Sequence, residues 1–400
     1  MRTLKRAAAL VVFLFIAALS YRVVARKYYV WLPGYAHWLL HQEQAKTGPI
    51  HIFFVYADHF EPGSHYDRIE RWLKEFPKMA DRHRDSDGRR PRHTWFYPAE
   101  QPIDRNLVAL QKLVAAGYGE AELHLHHSQD TPGSTRQRFE AGISYFQRFG
   151  FLKGVDGRTH FAFVHGNWGL DNSLGAAYCG NSQELRMLKE LGCFADFTFP
   201  SLWERSQPAW VNNIYEVTDD DQPKSYDRGV PLAVGWRPSG DLVLVQGPLM
   251  IVPTVNPARL FFAVVDADIH PAVPVTPQRV DAWVRANIHV AGRPDWVLIK
   301  VHGHAASSTE DLEETIGPDF DNALTYLEHH YNDGTHYVLH YLTAREAYNV
   351  IRAAADGKQG EPSQYFNWVI PPYQADVADV PNEASEQSDG FPGQSSARWK

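Results

Sequence analysis

The chain has 400 residues, 44% of them apolar and 22% charged, an ordinary globular balance that excludes wholesale disorder. Lys plus Arg number 39 against 47 Asp plus Glu, and a net charge of −8 argues against a nucleic-acid protein held by phosphate contacts. Two cysteines, Cys179 and Cys193, exclude a disulfide scaffold and any multi-cysteine zinc or iron–sulfur site, leaving one optional disulfide.

The first 27 residues stand apart from the rest. Basic MRTLKR precedes an uncharged apolar run from Ala7 to Tyr21, which extends to Ala25 if Arg22 snorkels to the interface. This is either a retained signal anchor or a signal peptide cleaved near Ala18-Leu19-Ser20. The run continues past that site and meets a second basic cluster (Arg22, Arg26, Lys27), which favours the anchor. The expectation is a membrane-anchored protein with its main domain outside the cytoplasm (periplasmic), or a secreted one if the segment is cut. Residues 28–47 form a juxtamembrane segment, whose aromatic stretch YYVWLPGYAHWLL lies at the membrane interface or packs on the main domain.

From residue 48 to 357, strand-like and helix-like patterns alternate. Strands are expected at 51–58 (HIFFVYAD), 121–127 (AELHLHH), 160–166 (HFAFVHG), 195–201 (ADFTFPS), 296–304 (WVLIKVHGH) and 335–342 (THYVLHYL). Helices are expected at 69–83, with Pro77 kinking or ending it, and at 103–116, 136–149, 182–191, 277–288 and 311–330. Thr343 and Glu346 have capping-box spacing at the head of a last helix. This alternation implies an α/β fold with a parallel sheet, either a (β/α) barrel or a doubly wound sheet. Residues 203–253, with turn signals such as Arg237-Pro238-Ser239-Gly240-Asp241, read as a β-hairpin insertion. Residues 358–400 read as a tail, disordered from 379 onward.

Histidine is the outlier, at 20 residues, and several lie at expected C-terminal strand ends, where parallel α/β folds gather catalytic groups. Asp58-His59 closes the first strand, ahead of Phe60-Glu61-Pro62-Gly63. In ELHLHHSQD, His124 and His126 alternate onto one face, so both imidazoles can reach one cation, and Asp130 follows His126 by four. In VLIKVHGHA, His302 and His304 again share a face, and either suits a general acid. The loop FVHGNWGLDNS offers His165, Asn167, Trp168 and Asp171, with Trp168 either a sugar platform or the plug of an apolar notch. No P-loop, GxGxxG, GxSxG or HExxH is present, so nucleotide enzymes, serine hydrolases and zincins lose support.

The order of these motifs over roughly residues 50–355 resembles the NodB-type polysaccharide deacetylases of carbohydrate esterase family 4, within the glycoside hydrolase/deacetylase barrel superfamily. That family opens with a strand ending T-F-D-D-G-P; VYADHFEPG places Asp58 at its base and His59 at its first metal ligand. The family's H-[S/T]-x-x-H maps onto His126 and Asp130, with His124 as the alternate ligand. FVHGNWG holds the place of the family's R-P-P-Y/F-G, with His165, Asn167, Trp168 and Asp171 as orienting or substrate residues. IKVHGH resembles the strand carrying its general acid, here His302 with His304 nearby. The resemblance implies a distorted or incomplete seven-stranded barrel and a divalent metal, zinc first. The substrate would be an acetylated polysaccharide or oligosaccharide, deacylated at N- or O-acetyl groups by metal-activated water. Neither nucleic acid nor nucleotide is expected as a partner. Alternatives are a glycoside hydrolase of the same superfamily and a non-catalytic, membrane-tethered glycan-binding protein of an exopolysaccharide system.

Overall fold

The computed structural model describes residues 2–45, 48–256, 259–260 and 262–374; the tail stretch expected to be disordered, 379–400, lies outside them. In chain order the strands are β1 (Ile50–His59), β2 (His93–Pro98), β3 (Gly119–Leu125), β4 (Phe161–His165), β5 (Cys193–Asp196), β6 (Ile214–Val217), β7 (Val230–Pro231), β8 (Leu242–Val245), β9 (Leu249–Pro253), β10 (Phe262–Asp266), β11 (Asp268–Ile269), β12 (Trp296–Gly303) and β13 (Tyr337–Leu342). The helices are α1 (Arg2–Ala25), α2 (Leu32–Leu40), α3 (Tyr66–Ala80), α4 (Asp104–Ala115), α5 (Pro132–Gln147), α6 (Glu184–Glu190), α7 (Pro277–Arg285), α8 (Thr309–Ile316), α9 (Pro318–His330) and α10 (Ala344–Ala355).

One eleven-stranded sheet carries the order β11-β12-β1-β2-β3-β4-β5-β8-β6-β7, with β13 also on β1. Pairings from β11 through β8 are parallel, as is β1 with β13; β6 runs antiparallel to both β8 and β7. The 203–253 excursion therefore lengthens the main sheet, and β9 pairs with β10 as a separate hairpin. The sheet curls: Lys300 Nζ on β12 donates to Phe199 O beyond β5 at 2.7 Å, and a Cβ on Gly247 would sit 2.5 Å from Lys300 O. Among the described residues no ladder closes the curl, so the expected barrel is an open, mostly parallel sheet.

Both faces of β1 are buried, as a central parallel strand requires. Ile52, Phe54 and Tyr56 join the outer core with Trp72 and Phe76 of α3 and Leu107 and Leu110 of α4. Phe53, Val55 and Ala57 join the inner core with Ala347, Tyr348, Val350 and Ile351 of α10. α10 is thus a buried helix on the concave face, where a barrel would hold only strand side chains. Every residue of it except Arg352 is buried. Its capping box is present: Thr343 Oγ1 accepts Glu346 N–H at 3.4 Å, and Glu346 Oε2 accepts Thr343 N–H at 3.0 Å. The start of the expected tail packs here too, since Asn349 binds the backbone of Phe366, Val369 and Ile370 through four hydrogen bonds.

Pro77 sits inside α3 near its end instead of breaking it. The expected 311–330 helix is two, α8 and α9, parted at Gly317-Pro318, where proline opens the second. Beyond α3, His83 is buried between two carboxylates of α9, with Nε2 2.8 Å from Asp321 Oδ1 and Nδ1 3.2 Å from Glu328 Oε2. Burial would lower its pKa, but the hydrogen bonds to Glu328 and Asp321 outweigh it and hold the imidazolium above the usual 6.5. The tether's stabilisation is complete below 6.5 and is lost as pH rises through the raised folded value. Urea unfolding of the wild type is therefore expected to weaken across that window, and His83→Gln to flatten this part of the profile. An unchanged profile in the variant would remove the tether from the account.

Leu4–Ala25 of α1, 22 residues with none buried, is long and apolar enough to cross a membrane. Arg22 does not reach outward: its guanidinium lies 4.1 Å above the Phe262 ring. Tyr28, Trp31 and Tyr35 bury against Val211 and Leu249, and Gly34 is glycine because a Cβ would meet Ala209 O at 1.8 Å. The aromatic stretch therefore packs on the main body.

Candidate metal centre

The C-terminal ends of β1, β3 and β12 bring four imidazoles around one carboxylate. His59 extends the inner face of β1, His124 and His126 come from β3 and the residue after it, and His304 follows β12. Glu61, two residues beyond His59, belongs to two potential ligand groups: His59, Glu61 and His304, and Glu61, His124 and His126, with ligand atoms within 4.8 Å of one another in each. Glu61 Oε1 lies 3.0 Å from His124 Nε2 and 3.6 Å from His126 Nε2. The His59 ring is centred 5.0 Å from His124 and 4.6 Å from His304.

Donor chemistry fits a cation. His59 is fully buried and neither ring nitrogen has a hydrogen-bond partner, a costly arrangement unless something accepts those lone pairs. Burial, followed by the charges of His304, His124, His302 and Lys300, holds His59 well below the usual imidazole range, so it is neutral and can donate to a metal. His124 is held below its usual value by burial and by His126. Burial would push Glu61 up, but the His124 contact and the charges of His126, His124 and His304 bring it down to about 2, so it is anionic. Behind the ring of His126, Nδ1 meets Glu100 Oε1 at 2.6 Å. That places a carboxylate–histidine pair behind a ligand position, the usual way to orient a metal-binding imidazole.

The centre is deep at His59 and His124 and open at Glu61, His126 and His304, which are partly exposed. Trp168 stacks on His59 at 4.9 Å and 27°, and its ring also lies 5.7 Å from His302. It holds this place with a φ of 58°, which for a bulky residue marks a loop constrained by its surroundings. His302 is buried with Nδ1 unpartnered, and its Nε2 is 3.9 Å from Asp268 Oδ1. Burial, then Lys300, His304 and Arg279, keeps it well below the usual imidazole value.

Other expected site residues lie elsewhere. Asp58 alternates with His59 and so points to the outer face. It is fully buried, with Oδ2 2.9 Å from His93 Nε2 and Oδ1 accepting the Ala305 N–H at 2.9 Å, so both oxygens are committed to fastening β1 to β2 and to the loop after β12. Asp130 does not join His59 and His126; it bonds His127 Nδ1 at 3.1 Å and pairs with Arg138 at 3.1 Å, and His124 takes its place near Glu61. His304, expected as a spare acid, stands among the potential ligands. His165 faces a separate buried group with His127. Asn167 Nδ2 fastens the loop to His127 O at 2.8 Å. Asp171, pushed up to about 9 by burial, accepts the Ser225 N–H at 2.6 Å. Glu61, Glu100 and Asp268 were not anticipated. Glu61 had a signal, i+2 spacing from His59 on the same face, whereas Glu100 follows β2, a strand hidden by Pro98 and by the basic run before it.

No family model matches the chain, and no curated protein matches it. Among solved structures, it is similar to a polysaccharide deacetylase assigned by inference, from Mycobacterium smegmatis, at 12% identity and a TM-score of 0.40, over 80% of this chain and 96% of that one. It is also similar to a GH57 branching enzyme from Thermococcus kodakaraensis, at 10% identity and a TM-score of 0.31, over 73% of this chain and 72% of that one.

Proposed function

We propose that the chain is a metal-dependent hydrolase that deacylates an acetylated polysaccharide or oligosaccharide, using a centre held by His59, His124, His126, His304 and Glu61. The observation that carries this reading is the pair of ligand groups sharing Glu61, with unpartnered, neutral imidazole nitrogens at its buried end. Imidazole and carboxylate donors suit zinc. When bound there, a divalent ion supplies a water of lowered pKa and polarisation of the acyl carbonyl.

The chain's own residues do the rest. Trp168 offers a ring face beside the centre for a sugar. His302 accepts the proton of the attacking water at its free Nδ1, with the Asp268 carboxylate near Nε2 to stabilise the imidazolium, and then returns the proton to the leaving amine or alcohol. Asp58 keeps only a fastening role in this scheme. α1 tethers the domain to a membrane, with the centre facing a polymer outside the cytoplasm.

The test is acetate release from N- and O-acetylated oligosaccharides by metal-loaded protein, with metal content measured on the same sample. His302→Gln is expected to keep its metal and lose about 10²–10⁴-fold in turnover, the usual share of a general acid–base group. Cut glycosidic bonds without free acetate would replace this reading with a glycosidase, and full activity of His302→Gln would remove His302 from the chemistry.

A further inference from the structure

Below the loop that carries Trp168 lies a second convergence of ligand-type side chains, which the proposed hydrolysis does not use. His127 follows β3, His165 ends β4, Cys179 lies in the connecting loop and Glu184 opens α6, and their ligand atoms all lie within 4.8 Å of one another. All four are buried, none more than 2% exposed. We propose that these four residues bind a structural zinc ion that pins the 166–183 loop to the ends of β3 and β4.

Three observations support a cation over a plain hydrogen-bond network. First, His165 is fully buried with Nε2 unpartnered, 3.8 Å from Glu184 Oε1. Second, Cys179 brings a soft thiol donor into the group: its Sγ lies 3.5 Å from Glu184 Oε2, while it also accepts the Asn181 N–H at 3.4 Å and donates to Asn181 O at 3.5 Å within its own loop. Third, His127 is already oriented as a ligand: Nδ1 meets Asp130 Oδ2 at 3.1 Å, which directs Nε2 to the group, where it lies 2.9 Å from Glu184 Oε1. A thiolate, two imidazoles and a carboxylate are a tetrahedral zinc set, and four protein ligands leave no open position, as in structural sites. Loading releases the thiol proton and the His127 Nε2 proton, while the single proton of His165 moves from Nε2 to Nδ1. His165 then carries its proton on Nδ1 and forfeits the 3.2 Å hydrogen bond from Asn167 N–H, a small loss beside a metal–nitrogen bond.

The consequence is local order. Trp168, Asp171 and Asn172 all hold positive φ in this one loop, and Gly180 is packed so that a Cβ would meet Asp130 O at 2.5 Å. A zinc under the loop fixes that backbone and so the Trp168 platform.

The test uses the full chain. After exhaustive dialysis Glu61→Gln, with the open centre disabled, is expected to retain one equivalent of zinc. Cys179→Ser is expected to lose that equivalent. Should Cys179→Ser fail to fold, cobalt-substituted wild type still decides: a sulfur-to-cobalt charge-transfer absorption is expected, and Cys193→Ser should keep it, because Cys193 is the only other cysteine. A zinc-free Glu61→Gln protein, or a cobalt spectrum without the sulfur band, would overturn the buried site. The sulfur-to-cobalt band reports the buried site alone, whereas the open centre is read by the metal that Glu61→Gln loses relative to the wild type, so the two readings fail separately.

Discussion

Glu61→Gln is expected to empty the open centre of its metal and to lower kcat/KM on acetylated oligosaccharide by at least about 10³-fold. The magnitude follows from the several kcal/mol of transition-state stabilisation that a catalytic ion supplies, at about 1.4 kcal/mol per tenfold. The substitution keeps shape and volume but removes the one carboxylate common to both ligand groups. Its charge is secure in the folded protein, held down to about 2 by His124, His126 and His304 against the upward push of burial. Without it, the neutral nitrogens of His59 and His124 remain, but the negative charge that draws a dication between them is gone. Metal analysis after dialysis and steady-state kinetics read the two effects together. Metal content and turnover both equal to those of the wild type in Glu61→Gln would mean that the centre is not organised on this residue.

Asp58→Asn sharpens the contrast. With both carboxylate oxygens spent on His93 and Ala305, the variant is expected to retain metal and lose stability, because the amide nitrogen that replaces one oxygen donates and cannot accept. Lost turnover in Asp58→Asn, with metal and stability unchanged, would return Asp58 to the role of catalytic base.

Much of the frame is written in local pattern. The apolar runs of β1 and β12 stand out because both of their faces are buried. Thr343 and Glu346 announce α10, and Thr276 announces α7, since each cap satisfies backbone donors within a few residues. The lost pieces depend on tertiary context. β2 reads HTWFYP after an arginine-rich turn and ends in proline, and only its place between β1 and β3 makes it a strand. α10 has the composition of an ordinary outer helix, so nothing local says that it fills the concave face. The site divides in the same way. His59, His124 and His126 follow from alternation at strand ends, and His304 follows from its register beside His59. Asp58 was misplaced because neighbouring residues of a strand face opposite ways, a rule already visible in the sequence. Asp130 was misplaced because the chain turns after His127, and spacing alone does not say which of two adjacent histidines a following carboxylate will meet.

Arg345→Ala is expected to destabilise the protein by about 3–5 kcal/mol, the usual result of stripping one partner from a buried ion pair. Arg345 and Glu120 are 2% and 6% exposed between α10 and β3. Glu120 Oε1 accepts from Arg345 Nε and Nη2 at 3.0 and 2.8 Å, and Oε2 accepts from Thr343 Oγ1 at 2.5 Å. Arg345 Nη1 also donates to Asn367 Oδ1 at 2.8 Å and Ile370 O at 3.0 Å, so it holds the segment after α10 as well. Burial pushes Glu120 up, but Arg345 and Arg92 outweigh it and hold the carboxyl below its ordinary 4.5. The pair therefore stabilises the fold fully above that value and less as pH falls through the depressed one. The single variant leaves Glu120 buried and unpaired; Glu120→Leu with Arg345→Met removes both charges and is expected to recover part of the loss. Recovery stays incomplete, because the amide oxygen of Asn367 loses its Arg345 donor and the carbonyl of Ile370 keeps only Asn349 Nδ2. Urea unfolding of the two single variants and the double measures the coupling. A loss below about 1 kcal/mol in Arg345→Ala, the level of an exposed pair, would show that α10 is held by its apolar packing alone.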